Sequence, residues 1–289
     1  MRQNPSRPLP KPKPRRPRSP AHPRRRRSNR WRIPPTRRNP TAQSAADVEA
    51  PTETEAESPA AEVEPLAPAA PPERPAREAP APPAGDDTRA RAEGLLDEGN
   101  AYFNVGQYQL AIEQYDAALE MIPGLVAAYY NRANARTRVG DYDGALADYD
   151  EALSLNPRDP DALNNRGMLH LYRGSYDAAV ADFNAGLAID PYDTTVVVNR
   201  GLAHLHSNRP QQALEDFIEA VRIDPRDAAA HYGGAQAAAQ LGDSPGAIES
   251  LRNALRLEPN YAREAAADPR LASLHAYEAF ARLLRDHGR

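Results

Sequence analysis

The chain has 289 residues, no cysteine and a formal net charge of −4. Without cysteine, a disulfide framework and a thiolate metal site are both excluded, and no stretch approaches the roughly 18 apolar residues of a membrane-spanning helix. The mild net charge hides three dissimilar segments.

Residues 1–40 hold thirteen Arg, two Lys, eleven Pro and no acid. Residues 41–88 hold eleven acids against Arg74 and Arg77, with ten further Pro, so +15 is followed by −9; nineteen basic and twenty-nine acidic residues, −10, remain for 89–289. Proline at this density removes backbone donors, and few apolar side chains offset the entropy of ordering, so a disordered arm is expected over residues 1–88. Within it Arg24, Arg25, Arg26 and Arg27 run together, and Arg30 and Arg32 flank Trp31, the one tryptophan. Guanidinium groups neutralise phosphates and an exposed indole stacks on a base, so this arm is a candidate for nucleic acid or an anionic surface. It is also a candidate to fold back on the acidic body. No apolar stretch follows Arg38, which argues against a secretory leader and for a cytoplasmic location.

Five units of 34 residues then fill 92–261 with no insertion or deletion: 92–125, 126–159, 160–193, 194–227 and 228–261. Such a period signals a solenoid. In the second unit Tyr129, Ala133, Arg136 and Val139 recur at helical spacing. Gly140 stops that helix, Asp141 caps a second one carrying Tyr142, Ala145, Leu146, Tyr149, Ala152 and Leu153, and Asn156-Pro157 ends it. Ala111, Ala145, Ala179, Ala213 and Ala247 share one position, and Gly99, Ala133, Gly167, Gly201 and Ala235 another; small residues there let two helices approach closely. Tyr115, Tyr149, Phe183, Phe217 and Leu251 fill the space beside them.

With the prolines Pro123, Pro157, Pro191, Pro225 and Pro259, this pattern resembles the tetratricopeptide repeat over residues 92–261. The resemblance implies an all-α, right-handed solenoid of five helix-turn-helix repeats. Departures from the family pattern are local. The aromatic of position 11, counted within each unit, survives as Tyr102 and is replaced by Arg136, His170, His204 and Ala238. Asn208 takes the turn-glycine place, which asparagine tolerates. Ser244 and Pro245 enter the fifth unit, whose second helix is expected to be the least regular. Asp268-Pro269 then opens an amphipathic run, LASLHAYEAFARLLRDHG, expected to form a single C-terminal capping helix within 262–289.

The resemblance further implies a concave face built from positions 2, 5, 6, 9, 12 and 13 of the first helices. It assigns Asn100 and Phe103 to the first unit, and Tyr130, Asn131 and Asn134 to the second. The third contributes Asn164, Asn165, Met168, Leu171 and Tyr172; the fourth Val198, Asn199, Leu202, Leu205 and His206; the fifth Tyr232 and Gln236. Asn131, Asn165 and Asn199 recur at one position, similar to the asparagine ladder with which some members of the family hold a peptide backbone, since an amide both donates and accepts. The expected partner is therefore an extended segment of another protein, and the chain reads as a non-enzymatic scaffold. The alternative is a nucleic-acid-associated protein whose arm binds phosphate while the repeats recruit a partner. A carboxylate clamp is not expected, because Leu96, Asp161 and Asn165 hold its cationic positions. Arg132, Arg166 and Arg200 recur with Asp148, Asp182 and Asp216, which predicts interhelix ion pairs. No catalytic motif, cofactor motif or metal-ligand spacing is present, and His204 and His206 leave a helix on different faces.

Overall fold

The computed structural model describes residues 85–287. Those residues form helices and no strands, in the order α1 (Asp86–Asn104), α2 (Tyr108–Met121), α3 (Val126–Val139), α4 (Tyr142–Leu155), α5 (Pro160–Tyr172), α6 (Tyr176–Ile189), α7 (Thr194–His206), α8 (Pro210–Ile223), α9 (Ala228–Gln240), α10 (Ser244–Leu257), α11 (Tyr261–Ala267), a 3-10 helix (Pro269–Ala276) and α12 (Glu278–His287). Five consecutive pairs, from α1·α2 to α9·α10, are the five predicted repeats. Each helix through α10 packs on the next in chain order, and successive first helices approach one another more closely than successive second helices do within the five repeats. The stack therefore curves with its first helices on the inner side.

Local chemistry accounts for the boundaries. Gly140 takes φ 88° after α3, and Asn208 takes φ 57° at the equivalent turn after α7, the substitution expected to be tolerated there. Asp159, Asp193 and Asp227 each accept two backbone N–H groups at the start of α5, α7 and α9. Asp141 and Asp243 each accept one, from Gly144 and Gly246, opening α4 and α10.

The core follows the repeat positions. Ala111, Ala145, Ala179, Ala213 and Ala247 are fully buried, and Tyr115, Tyr149, Phe183, Phe217 and Leu251 are buried beside them. A Cβ on Gly167 would stand 2.7 Å from Phe183 Cε1, closer than real side chains come, so the ring requires a residue with no side chain opposite it.

Three expectations need correction. Helix α1 begins at Asp86, so residues 86–88 are helical and do not belong to the arm; the acidic pair Asp86 and Asp87 occupies the first turn, where the helix dipole favours negative charge. The second helix of the fifth repeat is as long and regular as its counterparts, because Asp243 caps it and Pro245 falls in the first turn, where its missing N–H costs nothing. The C-terminal cap is not one helix. Asp268 (φ −78°, ψ 115°) and Tyr277 (φ −102°, ψ 123°) are extended and divide it into α11, the 3-10 helix and α12. Its role is nonetheless the expected one: Leu271, Leu274, Phe280 and Leu283 are buried in one cluster with Leu251 and Leu255 of α10. Helix α12 starts at Glu278, 34 residues after Ser244 opens α10, so the cap keeps the register of a sixth repeat.

Candidate functional site

The first helices bring the predicted amides into contact across repeat boundaries. Asn131 Nδ2 donates to Asn100 Oδ1 at 2.8 Å, and Tyr115 Oη donates to the same oxygen at 2.9 Å. One repeat on, Asn165 Nδ2 donates to Asn134 Oδ1 at 3.1 Å and to Tyr130 Oη at 3.0 Å, while Tyr149 Oη donates to Asn134 Oδ1 at 2.7 Å. The two joints are copies. Each joins a tyrosine of one second helix, an amide at position 9 and an amide at position 6 of the next repeat. Burial pushes the Tyr115 hydroxyl up to about 12 and raises Tyr149 as well, so both remain neutral donors.

The third joint differs. Position 9 of the third repeat is Met168, so Asn199 Nδ2 donates instead to Asn164 Oδ1 at 2.9 Å. Asn199 is only 9 % exposed. The asparagines therefore form a regular ladder in sequence but not in availability: Asn131 and Asn165 stay partly exposed, and Asn199 is withdrawn.

Several predicted lining residues are interior. Leu171 packs with Ala179 and Phe183, Leu205 with Ala213 and Phe217, and Val198 with the same cluster as Leu205. Position 12 of these helices turns toward its own hairpin partner, so Leu171 and Leu205 hold α5 on α6 and α7 on α8 and do not present a lining. Met168 and Leu202 are half-buried and Tyr172 and His206 are exposed; Asn100, Phe103, Tyr130, Asn134 and Asn164 are half-buried. At the fifth repeat the concave positions are already filled by the chain. Tyr232 Oη and Gln236 Nε2 donate to Asp268 Oδ2 at 2.9 and 2.5 Å, and both residues are buried; Asp268 Oδ1 accepts from Arg270 N. Arg270 reaches back to donate to His206 Nδ1 at 3.2 Å. The surface open to a ligand thus runs from the first repeat to the fourth.

On the other side of the first helices the predicted ion pairs are present, with a third member that sequence reasoning missed. Arg166 holds Asp182 through two bonds, Nε to Oδ2 at 2.9 Å and Nη2 to Oδ1 at 2.5 Å, and its Nη1 reaches Asp150 of the preceding repeat at 2.7 Å. Arg132 likewise holds Asp148 and reaches Asp116, and Arg200 holds Asp216 and reaches Asn184. Asp148, Asp182 and Asp216 are buried. The recurrence of an acid or amide at 116, 150 and 184, also 34 residues apart, was the available signal. The replaced position 11 faces these carboxylates: Arg136 Nη1 is 2.9 Å from Asp148, His170 Nε2 4.0 Å from Asp182 and His204 Nε2 3.7 Å from Asp216. Burial holds both histidines below the usual imidazole range although the carboxylates oppose it, and His204 Nδ1 has no hydrogen-bond partner. These groups are structural in their surroundings.

Among the described residues no group of three or more His, Asp or Glu side chains is placed to hold a metal, and no helix is long and apolar enough to cross a membrane. Arg24, Arg25, Arg26, Arg27, Arg30 and Arg32 lie outside the described residues.

A curved stack of helical hairpins, with a polar first-helix face inside and a 34-residue register, defines a repeat scaffold of the kind that binds other proteins. The chain belongs to the tetratricopeptide repeat family: residues 92–125 match one model of that repeat, and residues 130–194 and 198–262 match another. No curated protein matches its sequence. Solved structures share the fold. A tetratricopeptide repeat protein from Parabacteroides merdae is 22 % identical over 68 % of this chain and 77 % of its own, with a TM-score of 0.59. MamA from Desulfovibrio magneticus RS-1 is 21 % identical over 62 % of this chain and 98 % of its own, TM-score 0.57. YrrB, described as a repeat protein with an unusual peptide-binding site, is 22 % identical over 68 % and 100 %, TM-score 0.54.

Proposed function

We propose that this protein is a non-enzymatic scaffold whose concave face, between the first and fourth repeats, holds an extended segment of another protein. The observation that carries this reading is the pair of inter-repeat joints, in which Asn131 and Asn165 are each fixed by a neighbouring amide while remaining partly exposed. An amide already immobilised meets a peptide backbone without a further loss of rotamer freedom, which is the advantage of preorganisation. Asn131 Nδ2 spends one of its two hydrogens in the joint, and its Oδ1 takes no part in it, so capacity remains for a backbone N–H and C=O.

Asn165 spends both Nδ2 hydrogens, on Tyr130 and Asn134, so Asn131 is the rung with a donor to spare, and at about 1 kcal/mol per bond such contacts fall well short of the roughly 8 kcal/mol of micromolar affinity. The remainder has to come from side-chain contacts, and half-buried Met168 and Leu202 are the apolar surface beside the rungs. The preferred segment therefore has apolar residues at the spacing of these two helices. A peptide display library selected on the full chain tests this. Selected peptides should lose affinity to a variant carrying Met168→Ala and Leu202→Ala whose unfolding profile is unchanged. Failure to enrich any peptide, or equal binding to that variant, would sink the reading.

A further inference from the structure

The open concave face ends at the fourth repeat, where the chain supplies its own wall. The 3-10 helix packs on α9, and Tyr232 and Gln236 are taken by Asp268. The backbone N–H of Arg270 is held by Asp268 Oδ1, and its side chain reaches the end of α7, where Nη2 donates to His206 Nδ1 at 3.2 Å. His206 also stacks on Tyr176, with ring centres 5.8 Å apart and planes at 26°, so the imidazole is held in place.

This partner sets Arg270 apart from the arginines of the repeats. Arg132, Arg166, Arg173, Arg200 and Arg209 each meet a carboxylate. Among the described residues Arg270 has none at ion-pair distance, because Asp268, the nearest acid in sequence, spends its oxygens on Tyr232, Gln236 and the Arg270 N–H. Half-buried Arg270 thus keeps an uncompensated charge, and, after burial, that charge holds His206 below the usual imidazole range. A guanidinium only donates, so Nδ1 accepts and the imidazole hydrogen sits on Nε2. The pair presents a planar fork with most of its N–H groups unspent beside a neutral N–H donor, the complement of a carboxylate. Leu202 lies one helical turn before His206 on α7, on the same side of the helix, so this group would sit next to an apolar side chain of a bound segment. His206 is exposed, and a chain passing it leaves into solvent without having to end there.

We propose that Arg270 and His206 receive the side-chain carboxylate of an Asp or Glu in the segment held by the concave face, next to the residue that packs on Leu202. The identity of the ligand rests on the groove reading; the cation comes from the cap and not from the first helices. Two measurements on the full chain at low salt test this. In the first, the α-amide of N-acetylglutamate is titrated in and the His206 imidazole signals are followed by NMR. They should move saturably, and should stay in place with the α-amide of N-acetylglutamine or in Arg270→Gln. No movement with the glutamate probe would overturn the proposal, whatever the groove binds. In the second, peptides enriched by display should carry an acidic residue and lose about tenfold or more in affinity to Arg270→Gln. Arg270→Lys, which keeps the charge and loses the fork, should restore part of that loss. Exchanging the acid for its amide should cost as much in the native chain and nothing further in Arg270→Gln. Peptides that need Met168 and Leu202 but tolerate both changes would overturn the carboxylate and keep the groove. Affinity lost on amidating the peptide C-terminus, with the side-chain exchange tolerated, would overturn the side-chain assignment. Movement of His206 with no peptide enriched would support the carboxylate site and overturn the groove.

Discussion

Arg166→Met tests what holds the two helices of a repeat together. The substitution keeps an apolar stem of similar length and removes the guanidinium. Asp182, 5 % exposed, then loses both of its bonds to Arg166, and the neighbouring His170, neutral near pH 7 and 4.0 Å away, does not replace the charge. An unpaired buried carboxylate costs about 3–5 kcal/mol. The lost contact to Asp150, whose side chain is 65 % exposed, adds no more than about 1 kcal/mol. Changing Asp182→Leu in the same chain removes the carboxylate that needs a partner, so the double variant should recover most of the loss, as apolar replacements of buried pairs commonly do. Urea unfolding of the full chain followed by circular dichroism, with the two single variants and the double, measures the coupling. Additive costs would refute the account. A second readout is specific to the geometry: burial first, and also Arg166, hold His170 low against the pull of Asp182. The His170 imidazole should therefore titrate at higher pH in Arg166→Met, as seen by NMR.

The tandem glycines of α9 should behave oppositely. A Cβ on Gly233 would run into the buried Phe217 ring, whereas one on Gly234 would sit 3.7 Å from Phe217 Cβ in ordinary contact. Gly233→Ala should cost about 1–3 kcal/mol, and Gly234→Ala should be neutral or stabilise by up to about 1 kcal/mol; thermal unfolding compares them. His170 and His204 both have folded values below the ordinary imidazole value of about 6.5, through burial first. The unfolded chain then binds more protons, so stability is complete above that value and falls as pH drops through it toward the folded values. A urea midpoint unchanged between pH 7.5 and 5 would contradict this. Asp268→Ala removes the acceptor of Tyr232, Gln236 and the Arg270 N–H, leaving two buried donors unpaired at about 1–3 kcal/mol each. Hydrogen exchange should accelerate in α9 and the 3-10 helix while α3 to α6 stay protected.

The repeats were legible because each of their features is local or periodic. Gly140, Asp141 and Pro157 mark helix ends within a few residues, and the alanine and aromatic positions recur every 34. What escaped detection depends on which side of a helix faces which neighbour. Leu171 and Leu205 belong to the family's concave positions, yet their side chains lie against Ala179 and Ala213 of their own hairpins. Asn199 matches Asn131 and Asn165 in sequence, but its partner is set by position 9 of the preceding repeat, where Met168 offers no amide oxygen. Arg136, His170 and His204 looked like lost aromatics. In the structure they stand beside the buried aspartates, behind Arg132, Arg166 and Arg200, a relation that spans two helices. The break at Tyr277 was hidden because the apolar pattern runs continuously across it from Leu274 to Phe280.

The register of α12 bears on how long the array can be. A stack of this kind has no intrinsic end, since every hairpin offers the next the surface it received. Here the second helix of the sixth hairpin begins on schedule at Glu278, while its first helix, opened at Tyr261, is interrupted at Asp268. That residue turns its carboxylate inward onto Tyr232 and Gln236 of α9. The cap is thus a sixth repeat with one local interruption and not a separate module.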